Sequence, residues 1–276
     1  MNDIKTVSAV VTEMDKQLHD ILKSPKMLWE NTYIYHQLEK RKSGGMFTIQ
    51  DHIRAMVYSM LSSGISWERV ESITDLETGK LTAVDVLFHQ YDPDYILSCE
   101  PSQLRGSLKS MSLASQYTNK QMQALINTNI PKLMSIEKDF GSIDSYYSKF
   151  IKDDNITCLV RQLSSSDSMG KLFQMGEALT AEYLKNVGYD LAKPDRHICR
   201  ILGSNCLACS DSETVPLFEA FEIVSAIAKE LNKPSAEVDY ILWAYCANGY
   251  GEICTVNNPK CEICKASSIC KSKSEQ

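Results

Sequence analysis

Helical periodicity dominates the pattern of hydrophobic and polar positions along the chain. Thr48, followed three residues later by Asp51, is a variant of the capping box that opens many helices. The segment that follows then carries apolar residues on one helical face, at Ile53, Met56, Val57, Met60 and Leu61. The pattern predicts an amphipathic helix that begins near Thr48 and packs one face against a core.

The same periodicity predicts further helices and no convincing strand. They cover 119–137, 177–188, 215–231 and 234–249. Pro131 should kink or split the first of these helices, because proline cannot donate the backbone hydrogen bond. Gly188 suits a helix C-terminus, while Pro216 and Pro234 suit first turns. The sequence therefore predicts an all-α protein.

Composition narrows the class of protein. A chain of 276 residues can bury one substantial core, or two modest helical lobes with a cleft between them. No apolar run is long enough for a bilayer, and the polar N-terminal stretch fits neither a signal nor a transit peptide. We expect a soluble, intracellular protein that is cytoplasmic, nucleoid-associated if bacterial, with no membrane partner.

The net charge of −6, taken alone, argues against a nucleic-acid-binding protein. Binding to phosphates requires only a local basic surface, however, and the charge of a whole chain is a poor measure of that. Charge therefore leaves this class of function open.

Cysteine spacing gives the first chemical signal. Ten cysteines without a secretory signal indicate free thiols or metal ligands rather than disulfides. Cys254, Cys261, Cys264 and Cys270 form C-x6-C-x2-C-x5-C, a spacing that lets four soft thiolates converge on one cluster or ion. Zinc more often shows two C-x2-C pairs, and this four-cysteine motif contains only one. A cysteine-rich tail without metal is the alternative.

This spacing resembles the [4Fe–4S] loop of the endonuclease III branch of the helix–hairpin–helix DNA glycosylase superfamily. The surrounding GYGEIC, NNPKCEIC and SSIC are similar to that loop as well. The resemblance implies a structural [4Fe–4S] cluster on the four cysteines and a two-lobed, all-α fold. One lobe would be a central barrel-like domain (46–190), and the other would be a cluster domain (1–45 plus 191–276). The lesion-bearing DNA strand would cross the cleft between them.

The segment LFQMGEALTAEYLKNVGYDLAKPDRHICRILG (172–203) is similar to the family's hairpin, helix, loop and Asp-x-His motif. The match places Gly176 at the second hairpin glycine and Asp195 at the catalytic aspartate. It also implies a set of DNA-binding residues: Lys171, Gln174, Gly176, Arg196 and His197. In place of the family's Pro-Gly-Val the chain has Phe-Gln-Met (173–175), so one hairpin glycine is missing and the phosphate contact is altered.

Each of these matches has a plainer interpretation. The stretch 172–188 on its own reads as an amphipathic helix with a glycine cap. An aspartate after a proline, such as Asp195, is very often only a helix N-cap. In the resembling family both roles coexist in the same carboxylate.

The resemblance also indicates the type of reaction. Bifunctional members carry a lysine that forms a Schiff base with the sugar, and Ala178 occupies that position here. We therefore expect a monofunctional enzyme in which water attacks the sugar. Asp195 would stabilise the oxocarbenium-like sugar and orient or deprotonate water.

The segment DHIRAMVYSMLSSGISW (51–67) resembles the one that lines the family's base pocket, which predicts a pocket of Tyr58, Ser63 and Trp67. Tyr58 stands where some members carry a glutamate that protonates the leaving base. Without that acid, a base that leaves easily, such as an N-alkylated purine, is the expected substrate, and an aromatic pocket would stack on its positive charge. Core packing explains the two aromatic residues equally well.

Three other functions remain open. They are a glycosylase with lyase activity on oxidised pyrimidines, an inactive DNA-binding protein of the same fold, and an iron–sulfur electron carrier. For the proposed glycosylase the expected partner is double-stranded DNA with a damaged base, bound by a monomer.

The remaining cysteines are expected to be structural. Cys206 and Cys209 form a second C-x2-C with Cys199 nearby, but no partner pair is apparent. We therefore expect helix-terminal or core thiols rather than a second metal site. The other three, Cys99, Cys158 and Cys246, have the surroundings of core residues.

Overall fold

The computed structural model describes residues 1–65, 67–75, 77–153 and 155–271, with the side chain of Trp67 outside the description. Within these ranges the chain is helical, and extended pairing is limited to one isolated bridge between Lys152 and Asn155. The predicted all-α class is confirmed for this part of the chain. None of its helices is both long and apolar enough to cross a bilayer.

The α-helices of the described part are α1 (Ile4–Ile21), α2 (Tyr33–Lys42), α3 (Ile49–Leu61), α4 (Trp67–Ser72), α5 (Thr82–Leu87), α6 (Pro93–Ser98), α7 (Pro101–Ser110), α8 (Thr118–Ala124), α9 (Ile130–Phe140), α10 (Ile143–Tyr147), α11 (Thr157–Ser164), α12 (Glu177–Asn186), α13 (Arg196–Ile201), α14 (Leu217–Leu231) and α15 (Ser235–Cys246). Short 3-10 turns lie at Pro25–Met27, Trp29–Asn31, His89–Tyr91 and Ser148–Phe150.

The chain divides into two compact units. The terminal unit comprises Met1–Tyr35 with Asp190–Gln276, and the central unit comprises His36–Tyr189. The central unit thus begins at residue 36, whereas the sequence placed its start at 46. Most of α2 belongs to the central unit because Arg41 donates hydrogen bonds to the carbonyl of Val187 and to Asp144.

Gly188 follows α12 with a positive φ of 77°, as its predicted role at a helix C-terminus requires. A Cβ atom at this residue would lie 2.4 Å from the backbone oxygen of Gln37. Glycine is therefore needed here both for the backbone conformation and for the close approach of α2.

The terminal unit is built around α1, which packs against α14 and α15. The apolar face of α1 is buried through Val7, Val11, Met14 and Leu18. Asp3 caps the start of the helix by accepting a hydrogen bond from the backbone N–H of Thr6. Segments from both ends of the sequence therefore share one core.

The central unit is organised by the packing of α12 against α3. Both halves of the predicted capping box are present, since Thr48 and Asp51 each accept a hydrogen bond from the other's backbone N–H. The predicted apolar face of α3 is buried as expected. Helix α12 is buried continuously from Thr180 to Asn186, including its polar residues.

A polar network lies inside the α3–α12 packing. The Nδ1 atom of His52 is 2.7 Å from the hydroxyl of Tyr183, which is 2.9 Å from the hydroxyl of Tyr147. All three side chains are fully buried. Burial lowers the pKa of His52 to about 4, because the low-dielectric surroundings disfavour its charged form. The imidazole is therefore neutral at pH 7.

The predicted helix over 119–137 is split, and the split has an identifiable cause. A π-turn (Leu125–Asn129) separates α8 from α9, and the N–H of Ile130 bonds five residues back to the carbonyl of Leu125. Pro131, which has no N–H, occupies the first turn of α9. The extra residue in the turn sets the direction in which Asn129 points.

We expect His52→Gln to flatten the acid dependence of stability. Histidine in the unfolded chain has a pKa near 6.5, whereas His52 in the fold has a pKa of about 4. The unfolded state therefore binds more protons as pH falls through this window, and stability is lost. Urea unfolding between pH 7 and pH 4 should show the wild type losing more free energy than the variant, on the order of 3 kcal/mol. Parallel profiles for the two proteins would contradict the assignment.

Candidate active site and cysteine loop

Asp195 caps the N-terminus of α13 in the terminal unit. Its Oδ1 atom accepts hydrogen bonds from the backbone N–H groups of His197 (2.8 Å) and Ile198 (3.2 Å). The Oδ2 atom has no hydrogen-bond partner among the described residues, and the side chain is half-buried. One oxygen therefore holds the carboxylate in place while the other is available to a ligand.

The basic residues beside Asp195 differ in their surroundings. Arg196 is exposed at the first position of α13. His197 is half-buried, and burial lowers its pKa, so the imidazole is neutral at pH 7. Its Nδ1 atom is buried without a hydrogen-bond partner in the described part of the chain. Arg200 points instead toward the cysteines, where its Nη1 lies 3.4 Å from the sulfur of Cys254.

The hairpin (residues 172–176) in the central unit precedes α12 and is held by a buried asparagine. The N–H of Phe173 donates to Oδ1 of Asn129 (2.8 Å), and Nδ2 of Asn129 donates to the carbonyl of Phe173 (2.9 Å). Gln174, the next residue, has a φ of 59°, in the left-handed region that glycine favours. The chain thus forms a left-handed turn at this position although the family's glycine is absent.

Two lysine side chains donate hydrogen bonds to backbone carbonyls in the segment that precedes the hairpin. The Lys132 ammonium donates to the carbonyls of Met169 (3.0 Å) and Lys171 (2.6 Å). Lys171, which we predicted to bind DNA, directs its own ammonium to the carbonyl of Ser164 at the end of α11 (2.5 Å). That bond uses one of the three N–H groups of the ammonium, so DNA binding by Lys171 stays a prediction. Asn129 and Lys132 were not predicted from the sequence, since periodicity does not reveal a π-turn.

Gly176 is not required by the fold of the chain itself. Its φ of −71° and ψ of 175° are accessible to any residue, and a Cβ would meet no atom within 4 Å. Gln174 and Gly176 are exposed, and the N–H groups of residues 174–176 donate to no described group. The surface of the hairpin therefore offers bare backbone donors that a ligand can approach closely.

The residues predicted to form the base pocket have different surroundings. Tyr58 is 8% exposed, and its hydroxyl donates to Asp85 (2.7 Å) and accepts from the N–H of Leu81 (2.7 Å). Its role as a stacking residue needs correction, because the ring belongs to the core of the central unit. Ser63 is half-buried just after α3, and the side chain of Trp67 lies outside the described residues.

The cysteine loop (residues 254–270) lies in the terminal unit. Its four motif cysteines have free thiols and are half-buried. The Tyr245 hydroxyl lies 3.7 Å from the sulfur of Cys264, and Arg200 faces Cys254 as described. Hydrogen bonds from neighbouring thiols and the Arg200 charge hold the pKa of the Cys254 thiol well below its usual range. Donors directed at sulfur are the surroundings that thiolate ligands need.

Two further thiols join this group. Cys206 lies near Cys254, since Nη1 of Arg200 is 4.0 Å from the sulfur of Cys206 and 3.4 Å from that of Cys254. The thiols of Cys206 and Cys246 also contribute to lowering the pKa of Cys254. Cys199 and Cys209 are instead buried thiols that donate to backbone carbonyls.

Of the cysteines predicted to lie in the core, Cys246 is buried, Cys99 is half-buried and Cys158 is exposed, so that prediction is wrong for Cys158.

The donor set of the cysteine loop consists of four soft thiols, the ligand type of iron–sulfur clusters. Within the described ranges no three His, Cys, Asp or Glu side chains converge closely enough to hold one metal ion. A [4Fe–4S] cluster would distribute its four thiolates over four irons. Four soft thiols with donors aimed at two of them match the chemistry of such a cluster.

Comparison with known proteins gives no family assignment. No model of a protein family matches the chain, and no curated protein does. One similar solved structure is the Methanocaldococcus jannaschii 8-oxoguanine glycosylase/lyase in complex with 15mer DNA containing 8-oxoguanine. It has 18% identity and a TM-score of 0.49, over 84% of this chain and 96% of that one.

A second similar solved structure is the M. jannaschii 8-oxoguanine DNA glycosylase. It has 18% identity and a TM-score of 0.46, over 88% of this chain and 92% of that one. Identities this low and TM-scores below 0.5 do not by themselves assign a fold family, an activity or a substrate.

Proposed function

We propose that the protein is a DNA glycosylase that hydrolyses the N-glycosidic bond of a damaged base in double-stranded DNA. The observation that carries this proposal is the carboxylate of Asp195. One of its oxygens is fixed by two backbone N–H groups, and the other is bare. A fixed carboxylate with a free oxygen suits a reaction in which positive charge develops on a sugar.

The reaction would proceed by attack of water on the sugar. The bond between C1′ and the base nitrogen breaks, and its electron pair leaves with the base. Oδ2 of Asp195 would face the resulting oxocarbenium-like sugar and orient the water. As water adds to C1′, its proton passes to the carboxylate and from there to solvent.

DNA binding would rely on the hairpin and on the N-terminus of α13. Backbone N–H groups at residues 174–176 have no partners in the described chain and suit a phosphate oxygen. Gly176 would allow the backbone to approach that phosphate closely. Arg196, which is exposed, would add positive charge beside Asp195, while His197 and Gln174 would contact the DNA directly. Such local contacts would allow a chain of net charge −6 to bind DNA.

A monofunctional reaction is supported by the groups beside the hairpin. Ala178, in the first turn of α12, cannot form a Schiff base. The nearby Lys171 ammonium is bonded to Ser164, and Lys185 is almost fully buried with Glu182.

The Tyr58 hydroxyl is already bonded to Asp85, so it is not available to protonate a leaving base. A site without an acid for the leaving base suits an N-alkylated purine, because the positive charge of that base already makes it leave easily.

We further propose that Cys254, Cys261, Cys264 and Cys270 hold a [4Fe–4S] cluster with a structural role. The donor chemistry of the loop supports it, as described above. Four protein ligands leave no open coordination position for substrate chemistry. The cluster would instead hold the loop that carries Lys260 and Lys265 in a fixed conformation for DNA binding.

Asp195→Asn should abolish base release while DNA affinity is retained or slightly increased. Asparagine is a good N-cap, so α13 remains capped, but the charge that stabilises the sugar cation is lost. Single-turnover base release should fall by at least about 100-fold. The matched control is Asp92→Asn, because Asp92 caps α6 in the same way in the central unit. A rate close to wild type for Asp195→Asn would show that this carboxylate is not catalytic.

Gly176→Ala should weaken DNA binding while the protein remains folded. The added methyl group meets no atom of the chain but would project toward a bound phosphate. Titration of labelled duplex should show a several-fold higher Kd, with thermal unfolding of each variant confirming that it is folded at the temperature of the titration. Gly106→Ala is the control, since a Cβ there also meets no atom within 4 Å. Equal affinity of both variants and the wild type would exclude the hairpin from the DNA-binding surface.

The substrate and the absence of lyase activity can be tested together. Duplexes would carry 3-methyladenine, 7-methylguanine, thymine glycol, uracil, 8-oxoguanine, or adenine opposite 8-oxoguanine. We expect strand cleavage only after alkali treatment, and only for the alkylated duplexes. A covalent complex trapped by borohydride would disprove the monofunctional mechanism, because trapping requires a Schiff base. Robust release of thymine glycol, 8-oxoguanine or mispaired adenine would disprove the substrate class.

A further inference from the structure

The cysteine loop is accompanied by a second sulfur-bearing segment that the four-cysteine motif does not include. This Cys206 segment (residues 203–212) follows α13 and is folded tightly on itself. The N–H groups of Leu207, Ala208 and Cys209 donate to carbonyls of residues 201–203. Gly203 permits this fold, because a Cβ there would lie 2.0 Å from the backbone oxygen of Glu213.

The Cys206 segment is fastened to the end of the cysteine loop. The side-chain amide of Asn2 donates to the carbonyl of Leu207 (2.9 Å) and to that of Ile269 (3.3 Å). These two residues directly neighbour Cys206 and Cys270 in the chain. The sulfur of Cys270 in turn lies 3.5 Å from the carbonyl of Asn205. Two hydrogen bonds from Asn2 and the contact of Cys270 with Asn205 therefore hold the two segments together.

The sulfur of Cys206 lies close to two motif cysteines. Asn205, the residue before it, has its carbonyl oxygen 3.5 Å from the sulfur of Cys270. A single nitrogen, Nη1 of Arg200, is 4.0 Å from the sulfur of Cys206 and 3.4 Å from that of Cys254. Cys209, its partner in the C-x2-C pair, faces a carbonyl instead, so the pair does not form a second metal site.

We propose that Cys206 is a reserve ligand of the iron–sulfur cluster, able to take the place of Cys254 at the same iron. This inference rests on the proposed [4Fe–4S] cluster. Because the sulfurs of Cys206 and Cys254 share one arginine nitrogen, Cys206 needs only a small movement to bind the same iron, and it is buried. Cys246 lies at the end of α15 and has less freedom to move than a residue in a loop.

Not every cysteine of the motif has an alternative thiol ligand beside it. Cys264 has the Tyr245 hydroxyl beside its sulfur, and no thiol hydrogen-bonds to it among the described contacts. Loss of Cys264 should therefore leave one iron without a sulfur ligand. Loss of Cys254 should not, because Cys206 is available.

The test measures iron and acid-labile sulfide per chain after anaerobic purification. We expect about four irons in the wild type, in Cys206→Ala and in Cys254→Ala. The double variant Cys254→Ala with Cys206→Ala, and the single variant Cys264→Ala, should each retain less than about one quarter of that iron. Cys254→Ala with Cys246→Ala is the matched control and should keep its cluster. Circular dichroism of each variant reports whether the helices have formed.

Two outcomes would overturn the inference while leaving the cluster intact. One is equal loss of iron in Cys254→Ala with and without Cys206, and the other is equal retention in both. A shift in the visible absorption of Cys254→Ala relative to the wild type is a second expected readout, because the sulfur at one iron has changed. Iron-free wild-type protein would instead overturn the proposed cluster itself, so the two failures are distinguishable.

Discussion

Helix α12 is enclosed over most of its surface by the central unit, and this enclosure constrains the hairpin that precedes it. Its residues from Thr180 to Asn186 are buried, whether apolar or polar. Against α3 the buried contact includes a neutral histidine, His52, bonded to Tyr183. A helix fixed on all sides cannot shift along its axis without breaking these bonds. The position of its first turn, and therefore of the hairpin, follows from that packing.

The hairpin shows how a left-handed turn can be held at a residue other than glycine. Gln174 adopts a left-handed φ that glycine would adopt at lower cost. The side chain of Asn129 both accepts a hydrogen bond from the backbone of Phe173 and donates one to it. The Lys132 ammonium donates to the carbonyls of Met169 and Lys171. These bonds offset the strain at Gln174. Of the three hairpin residues whose N–H groups have no described partner, Gln174 and Gly176 are exposed, and the proposed DNA phosphate would bind there.

In the terminal unit, a single short helix serves both the carboxylate and the cysteine loop. Asp195, whose Oδ2 has no partner among the described residues, is the N-cap of helix α13, and Arg200 in the last turn of that helix reaches the sulfur of Cys254. The i, i+5 separation places these two side chains on different faces of the helix. Through this connection the proposed cluster would help to position the helix that carries the proposed catalytic carboxylate.

The sequence by itself determined the all-α class, the capping box of α3, the buried face of that helix and the break near Pro131. These features depend on residues within a few positions of one another, so periodicity and capping rules reveal them. Only the tertiary structure decided that Tyr58 is a core residue, that the Lys171 ammonium bonds to the last residue of α11 and that Cys206 adjoins the cysteine loop. Each of these depends on a partner distant in the sequence, or on the direction a side chain takes from a turn. The spacing of residues along one chain does not encode such contacts.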